Sequence, residues 1–289
     1  MAAVIDRQAV RVRPTGAALA ADIESVDLAG AMTPETMAAI EQAWADHLVL
    51  RFRNQRLSDD DLMRFSRHFG ELDWAPVAAT GDAPEGRSYI MVVSNVVENG
   101  EAIGQLGNYE AVWHTDMSYT AEPPRASLLY SLEAPESGGD TGFSNMYRAL
   151  ETLPADLRRA IKGRACRHDA SRNSAGELRR GYVDAADPSH TVGADHPIER
   201  THPFTGRQAL FLGRRRNAYI PGLSLADSEA LLDALWEHAS DPKLAWYQQW
   251  KPGDLIMWDN RCVMHRRDAF DPEARRVMHR TQVKGDKPY

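Results

Sequence analysis

Apolar side chains recur along this chain in two rhythms. After Thr33-Pro34-Glu35, which offers a capping hydroxyl, a first-turn proline and an acid, Met37, Ile40 and Trp44 return at helical spacing towards His47. Ser58 and Asp61 stand as in a capping box before Leu62, Phe65 and Phe69, with Gly70 as the stop, and predict a second helix. Ser224 and Asp227 open a third through Leu231, Leu235 and His238, and a short helix is expected after Pro154, ending near Gly163.

Elsewhere the rhythm shortens to the alternation or continuous apolar runs of strands. Leu48 to Phe52, Tyr89 to Ser94, Ala126 to Leu132, Gln208 to Leu212, Asp254 to Trp258 and Arg276 to Val283 read this way. Turns rich in Gly, Pro and Asp separate them, as in Pro135-Glu136-Ser137-Gly138-Gly139-Asp140 and Lys251-Pro252-Gly253-Asp254. Many short strands after a helix-rich start predict a mainly β protein with flanking helices, a sandwich or barrel. No repeat or linker divides the chain, so 1–289 is read as one domain. Segments 73–88, 99–110 and 164–197 lack a pattern and are expected to be loops around a site, with 164–197 a candidate lid.

Composition narrows the function. With 289 residues and 43% hydrophobic content the chain can bury a sizeable core unaided. Its 34 basic against 41 acidic residues leave −7, which argues against nucleic-acid binding and leaves a small-molecule enzyme open. Cys166 and Cys262 lie far apart in no metal-binding spacing and are expected to be reduced. Asp6, Arg7, Arg11 and Arg13 occupy the place of a leader's apolar run, and no stretch reaches the ~20 apolar residues of a membrane span, so a cytoplasmic location is expected.

Chemistry gathers in the second half. His114-Thr115-Asp116, if extended, aims His114 and Asp116 at one face, a pairing that chance alone supplies readily. A strand from Asp254 to Trp258 leads to Asp259-Asn260 and then His265; after it Arg276, Met278 and Arg280 share one strand face, while Val277 and His279 take the other. Two arginines on a buried face are costly unless anions meet them. Two His, one carboxylate and inward arginines describe a facial-triad metal site with an anion held beside it. The remaining histidines are read as structural or exposed, and Arg214-Arg215-Arg216 as a solvated turn.

The order His114-Thr115-Asp116, Pro123-Pro124, Gly138-Gly139-Asp140-Thr141, Trp258-Asp259-Asn260-Arg261 with His265, then Arg276-Val277-Met278-His279-Arg280-Thr281 closely resembles the taurine and 2,4-dichlorophenoxyacetate dioxygenase family. The likeness runs from Gly16-Ala17 to Lys284-Gly285-Asp286-Lys287-Pro288. It implies a double-stranded β-helix, a cupin-like jelly roll, and oxidation that uses Fe(II), 2-oxoglutarate and O2, with release of succinate and CO2. His114, Asp116 and His265 match the iron ligands, Thr141 and Arg276 the pair on the distal carboxylate of 2-oxoglutarate, and Arg280 the arginine near the substrate's acidic group. Members commonly form dimers or tetramers, so a homodimer or homotetramer is an expectation of the same kind.

Two positions depart from the taurine enzymes. Ala75 stands where they carry a histidine before a proline, and Glu110 where they carry an asparagine before the first ligand. Loss of two polar partners and gain of a carboxylate disfavour a small sulfonate. Arg280 keeps an anionic substrate in view, Trp74, Tyr109, Trp113 and Tyr119 could wall it, and Glu110 admits a zwitterion. An aryloxyalkanoate or other carboxylate is favoured, ahead of a sulfonate or alkyl sulfate. A zinc-dependent hydrolase or a non-catalytic jelly-roll binder would also use such ligands but gives Thr141 and Arg276 no task.

Overall fold

The computed structural model describes residues 10–75, 88–107, 111–179, 181–213 and 216–289. Its centre is a nine-stranded sheet. The order runs Arg11–Pro14, Ala21–Glu24, Val49–Phe52, Leu255–Asp259, Ala126–Glu133, Val277–Val283, Met91–Ser94, Gln105–Leu106, with Leu72–Asp73 also paired to Val277–Val283. A four-stranded sheet, in the order Ala245–Gln248, Thr141–Asn145, Val263–Arg267, Ala111–His114, packs against it through Phe143 on Trp258, ring centroids 5.5 Å apart. The expectation of a mainly β chain with flanking helices is met.

The central strands of the large sheet, Leu255–Asp259 and Ala126–Glu133, are buried on both faces for most of their length, which explains their nearly continuous apolar sequence. Leu50, Phe52, Leu128, Tyr130 and Met257 point outward into a core closed by α1, Pro34–His47, and α2, Asp59–Arg67. Val49, Leu129, Ile256, Trp258 and Met278 point inward to the small sheet. Each such side chain, fully buried, contributes about 1.5–3 kcal/mol.

Both helices begin where their caps predict. Thr33 accepts from Thr36 N, and Ser58 with Asp61 forms a reciprocal capping box. Helix α2 then lies along the outer face of Val277–Val283, where Ser66 Oγ meets Thr281 Oγ1 at 2.7 Å and His279 Nδ1 meets Asp59 at 2.6 Å. This fixes His279 away from Arg276 and Arg280, as alternation requires. Helices α3, Met146–Glu151, α4, Ala155–Ile161, and α5, Leu225–Ala239, flank the small sheet's side of the core. Only α3 has no counterpart in the sequence pattern; Asn145, whose side chain accepts from Arg148 N, starts it.

The loop expectations need correction. Within 164–197, Ala165–Asp169 and Gly193–Pro197 pair as antiparallel strands. Within 99–110, Glu101–Ala102 pairs with Val97–Glu98, and Gln105–Leu106 joins the large sheet. Of 73–88, residues 76–87 lie outside the described residues. Among the described residues, no helix is long and apolar enough to cross a membrane.

Candidate active site

The three expected ligands converge. His114 ends its strand opposite His265 in register, which brings their ring centroids to 4.1 Å, and Asp116, two residues further on, lies beside both. Asp116 Oδ1 lies 3.7 Å from His114 Nε2 and 3.8 Å from His265 Nε2. One ligand atom from each residue falls within 4.8 Å of the others, all three residues being buried. His114 Nδ1 contacts Val112 O at 2.7 Å, which places the ring proton there and leaves Nε2 as a lone-pair donor. Two imidazoles and one carboxylate are the donor set of a non-haem Fe(II) site with open positions.

Asp116 is ionised. Burial alone would raise its carboxyl, but the Arg280 guanidinium beside it holds it well below its ordinary value. Arg280 Nη1 donates to Asp116 Oδ1 at 3.2 Å, so the arginine expected beside the substrate also touches one of the expected ligands; its Nε is buried with no partner among the described residues. Asp116 Oδ2 accepts from Ser127 Oγ at 2.7 Å.

A cavity with about 490 Å³ of empty space, including its open mouth, reaches from this cluster to Arg276. Val93, Leu106, Ala111 and Leu129 form apolar wall, while Thr141, Arg267, Arg276 and Arg280 supply polar groups. Arg276 is 2% exposed and sits between Trp250 and Phe270, 5.9 Å from each ring. Its Nε and Nη1 are buried without a partner among the described residues. Burial and the nearby Arg267 push it down to about 9, a strain that an anion would relieve. Trp250 Nε1 donates to Thr141 Oγ1 at 2.9 Å; because an indole N–H can only donate, the Thr141 proton is left for an acceptor in the cavity.

Other predicted contacts are placed differently or not at all. Trp74 stacks on Tyr89 at 4.1 Å and is absent from the described lining of this cavity. Trp113 alternates with His114 and faces the outer side of the small sheet, 6.5 Å from Tyr247, so it does not wall the cavity. Tyr119 lies under the Arg179 guanidinium at 3.9 Å, and Tyr109 and Glu110 are outside the described residues. Sequence reasoning passed over Ser127, Trp250 and Arg267. Asn260, which supports Ser127, was visible only as part of the Trp258-Asp259-Asn260-Arg261 stretch.

A second group, His202, Asp259 and Cys262, brings ligand-type atoms equally close. Its hydrogen bonds show an ion-pair cluster. His202 Nδ1 accepts from Thr205 N at 3.1 Å, so Nε2 carries the proton that meets Asp259 Oδ2 at 3.0 Å, and Arg261 grips both carboxylate oxygens at 2.7 and 2.5 Å. Burial holds the Cys262 thiol well above its usual range and hence protonated.

Comparison with known proteins decides the class of the enzyme. The family model described as taurine catabolism dioxygenase TauD, TfdA family, matches residues 11–282. The chain belongs to this family. It is an oxidoreductase, a dioxygenase dependent on Fe(II), 2-oxoglutarate and O2. It is 34% identical over 277 residues, 91% of this chain and 90% of the relative, to an alpha-ketoglutarate-dependent 2,4-dichlorophenoxyacetate dioxygenase of Burkholderia sp. (strain RASC). Over 287 residues, 96% of this chain and 90% of the relative, it is 31% identical to an alpha-ketoglutarate-dependent sulfate ester dioxygenase of Pseudomonas putida. A solved structure of AAD-2 in complex with Mn(II) and N-oxalylglycine superposes with TM-score 0.79 at 28% identity, covering 97% of this chain and 99% of that one. Family membership removes the zinc-hydrolase and non-catalytic readings.

Proposed function

We propose that this dioxygenase hydroxylates a small organic substrate with an acidic group, aryloxyalkanoate-type or another carboxylate, while 2-oxoglutarate is decarboxylated to succinate and CO2. Arg276 carries the proposal: a desolvated guanidinium with two unpartnered N–H groups, on the wall of a cavity whose other end holds the metal-binding trio. We read the two packed sheets as a double-stranded β-helix, and residues 1–289 as one domain.

In this reading His114, Asp116 and His265 hold Fe(II), and the donor set suits it. Bound there, iron supplies the activation of dioxygen and the oxidising power towards a C–H bond. Arg276 and Thr141 hold the distal carboxylate of 2-oxoglutarate, the planar fork and the aimed hydroxyl together fixing its direction. Val93, Leu106 and Leu129 exclude water and receive the substrate's apolar body. The Arg280 Nε takes its acid group. Similarity to aryloxyalkanoate enzymes supports that choice of body, and similarity to a sulfate ester dioxygenase keeps an alkyl sulfate as the second candidate.

The test is a panel of aryloxyalkanoates, alkyl sulfates, sulfonates and amino acids, scored by substrate-dependent succinate release. Highest kcat/KM for an aryloxyalkanoate or related carboxylate is expected. A sulfate ester or sulfonate turned over more efficiently than every carboxylate overturns the substrate assignment.

A further inference from the structure

Asp116 has two oxygens, and the groups around them are not equivalent. Oδ1 faces both imidazoles and accepts Arg280 Nη1 at 3.2 Å, whereas Oδ2, 3.4 Å from the same nitrogen, accepts the Ser127 hydroxyl at 2.7 Å. Ser127 is fully buried in the middle of Ala126–Glu133, in register with Trp258 on one side and Gln282 on the other. Asn260 Nδ2 donates to its Oγ at 2.9 Å and Gln282 Nε2 at 3.2 Å. Both acceptor positions of the hydroxyl are then filled, and its single proton has Asp116 as its outlet. Asn260 is itself oriented, because its Oδ1 accepts the indole N–H of Trp258 at 2.9 Å. The hydrogen bonds therefore run in one direction, Trp258 to Asn260 to Ser127 to Asp116, through residues that are each buried.

We propose that Ser127 is a positioning residue that fixes the orientation of Asp116 as a metal ligand. By holding Oδ2 it sets the rotation of the carboxylate so that Oδ1 is presented to the metal between the two imidazoles. Gln282 and Asn260 act by aiming the hydroxyl. The idea rests on the reading of Asp116 as a metal ligand. It assigns a task to polar residues that no substrate contact would explain: a serine and a glutamine on neighbouring strands, and an asparagine in the turn after Leu255–Asp259, all three buried.

The experiment measures Mn(II) affinity of the full chain by electron paramagnetic resonance, without cosubstrate or turnover, beside the melting temperature of the metal-free protein. Ser127→Ala is expected to bind Mn(II) about 10- to 100-fold more weakly, the usual consequence of losing an outer-shell partner, and, because Asn260 and Gln282 lose their acceptor, to melt a few degrees lower in the metal-free state while staying folded at the assay temperature. Ser127→Thr, which keeps the hydroxyl, is expected to recover most of the affinity. Asn260→Ala leaves the hydroxyl but loosens its aim, and should fall between the two; it carries the test if Ser127→Ala does not fold. Wild-type affinity in Ser127→Ala, or in Asn260→Ala if that variant stands in, overturns the proposal, as does a loss that Ser127→Thr shares in full. Asp116→Ala is measured in parallel. If it loses the metal while Ser127→Ala does not, only the positioning role fails; if it binds like the wild type, the ligand assignment fails first.

Discussion

Replacing Arg276 with methionine removes a buried guanidinium while keeping a side chain of similar reach. In the protein without cosubstrate this charge is a burden, since Nε and Nη1 lack partners and burial with Arg267 drives the group down to about 9. Replacing an uncompensated buried charge by a well-packed apolar side chain commonly stabilises by about 1–4 kcal/mol. At roughly 2 °C per kcal/mol for a domain of this size, Arg276→Met should melt a few degrees higher than wild type when 2-oxoglutarate is absent. The opposite holds for binding. Two charge-assisted hydrogen bonds at about 1.5–3 kcal/mol each are lost, so the Kd for 2-oxoglutarate should rise by roughly two to four orders of magnitude. Thermal melts of the Mn(II)-loaded protein under nitrogen, with 2-oxoglutarate titrated in, read both effects at once. A variant that melts lower than wild type in the absence of 2-oxoglutarate, or whose Kd stays within about threefold, refutes the reasoning.

Three further outcomes are expected. Trp250→Phe removes the N–H that orients Thr141 and should raise the KM for 2-oxoglutarate about fivefold, one hydrogen bond's worth, with kcat little changed; Thr141→Val added to it should cost less than in the wild-type background. His114→Ala should abolish the visible absorption that Fe(II) and 2-oxoglutarate give together without oxygen, and an intact band would remove His114 from the ligand set. Burial would raise Asp259, yet Arg261 and His202 hold it well below its ordinary value, so its contribution is complete above the unfolded value near ~3.9 and fades as pH falls through the folded one. The melting-temperature gap between wild type and Asp259→Asn should accordingly be wide near neutrality and narrow below about pH 4. A gap independent of pH would mean that the carboxylate's charge is not what stabilises the cluster.

Features fixed by near neighbours in sequence were legible. The caps at Thr33, Ser58 and Ser224 and the alternation of Arg276, Met278 and Arg280 against His279 each depend on a few adjacent residues, and each appears as predicted. That His114, Asp116 and His265 come together was legible because resemblance joined His114 and Asp116 to a histidine far along the chain; spacing alone could not show it. Pairings across long separations left no local trace. Ala165–Asp169 and Gly193–Pro197 find each other through an intervening polar stretch, and Thr141–Asn145 is masked by Gly142 and Ser144, whose small side chains read as turn. Gly142 is small for a reason: a Cβ there would meet the Tyr247 ring at 2.7 Å. Ser127 and Trp250 escaped because a serine in an apolar run and a tryptophan before a turn have many bland explanations until Asp116 and Thr141 are seen at 2.7 and 2.9 Å from them.

Each end of the cavity draws on both layers. His114 and His265 of the small sheet stand with Arg280 of the large one, and Thr141 of the small sheet shares the far end with Arg276, which leads into the Val277–Val283 strand. On the proposed assignment the cosubstrate therefore has groups from both sheets at either end, and the seam between the layers acts as a clasp. A core substitution at Phe143, which packs on Trp258 across that seam and stacks on His265 at 6.1 Å, would loosen both ends of the clasp at once.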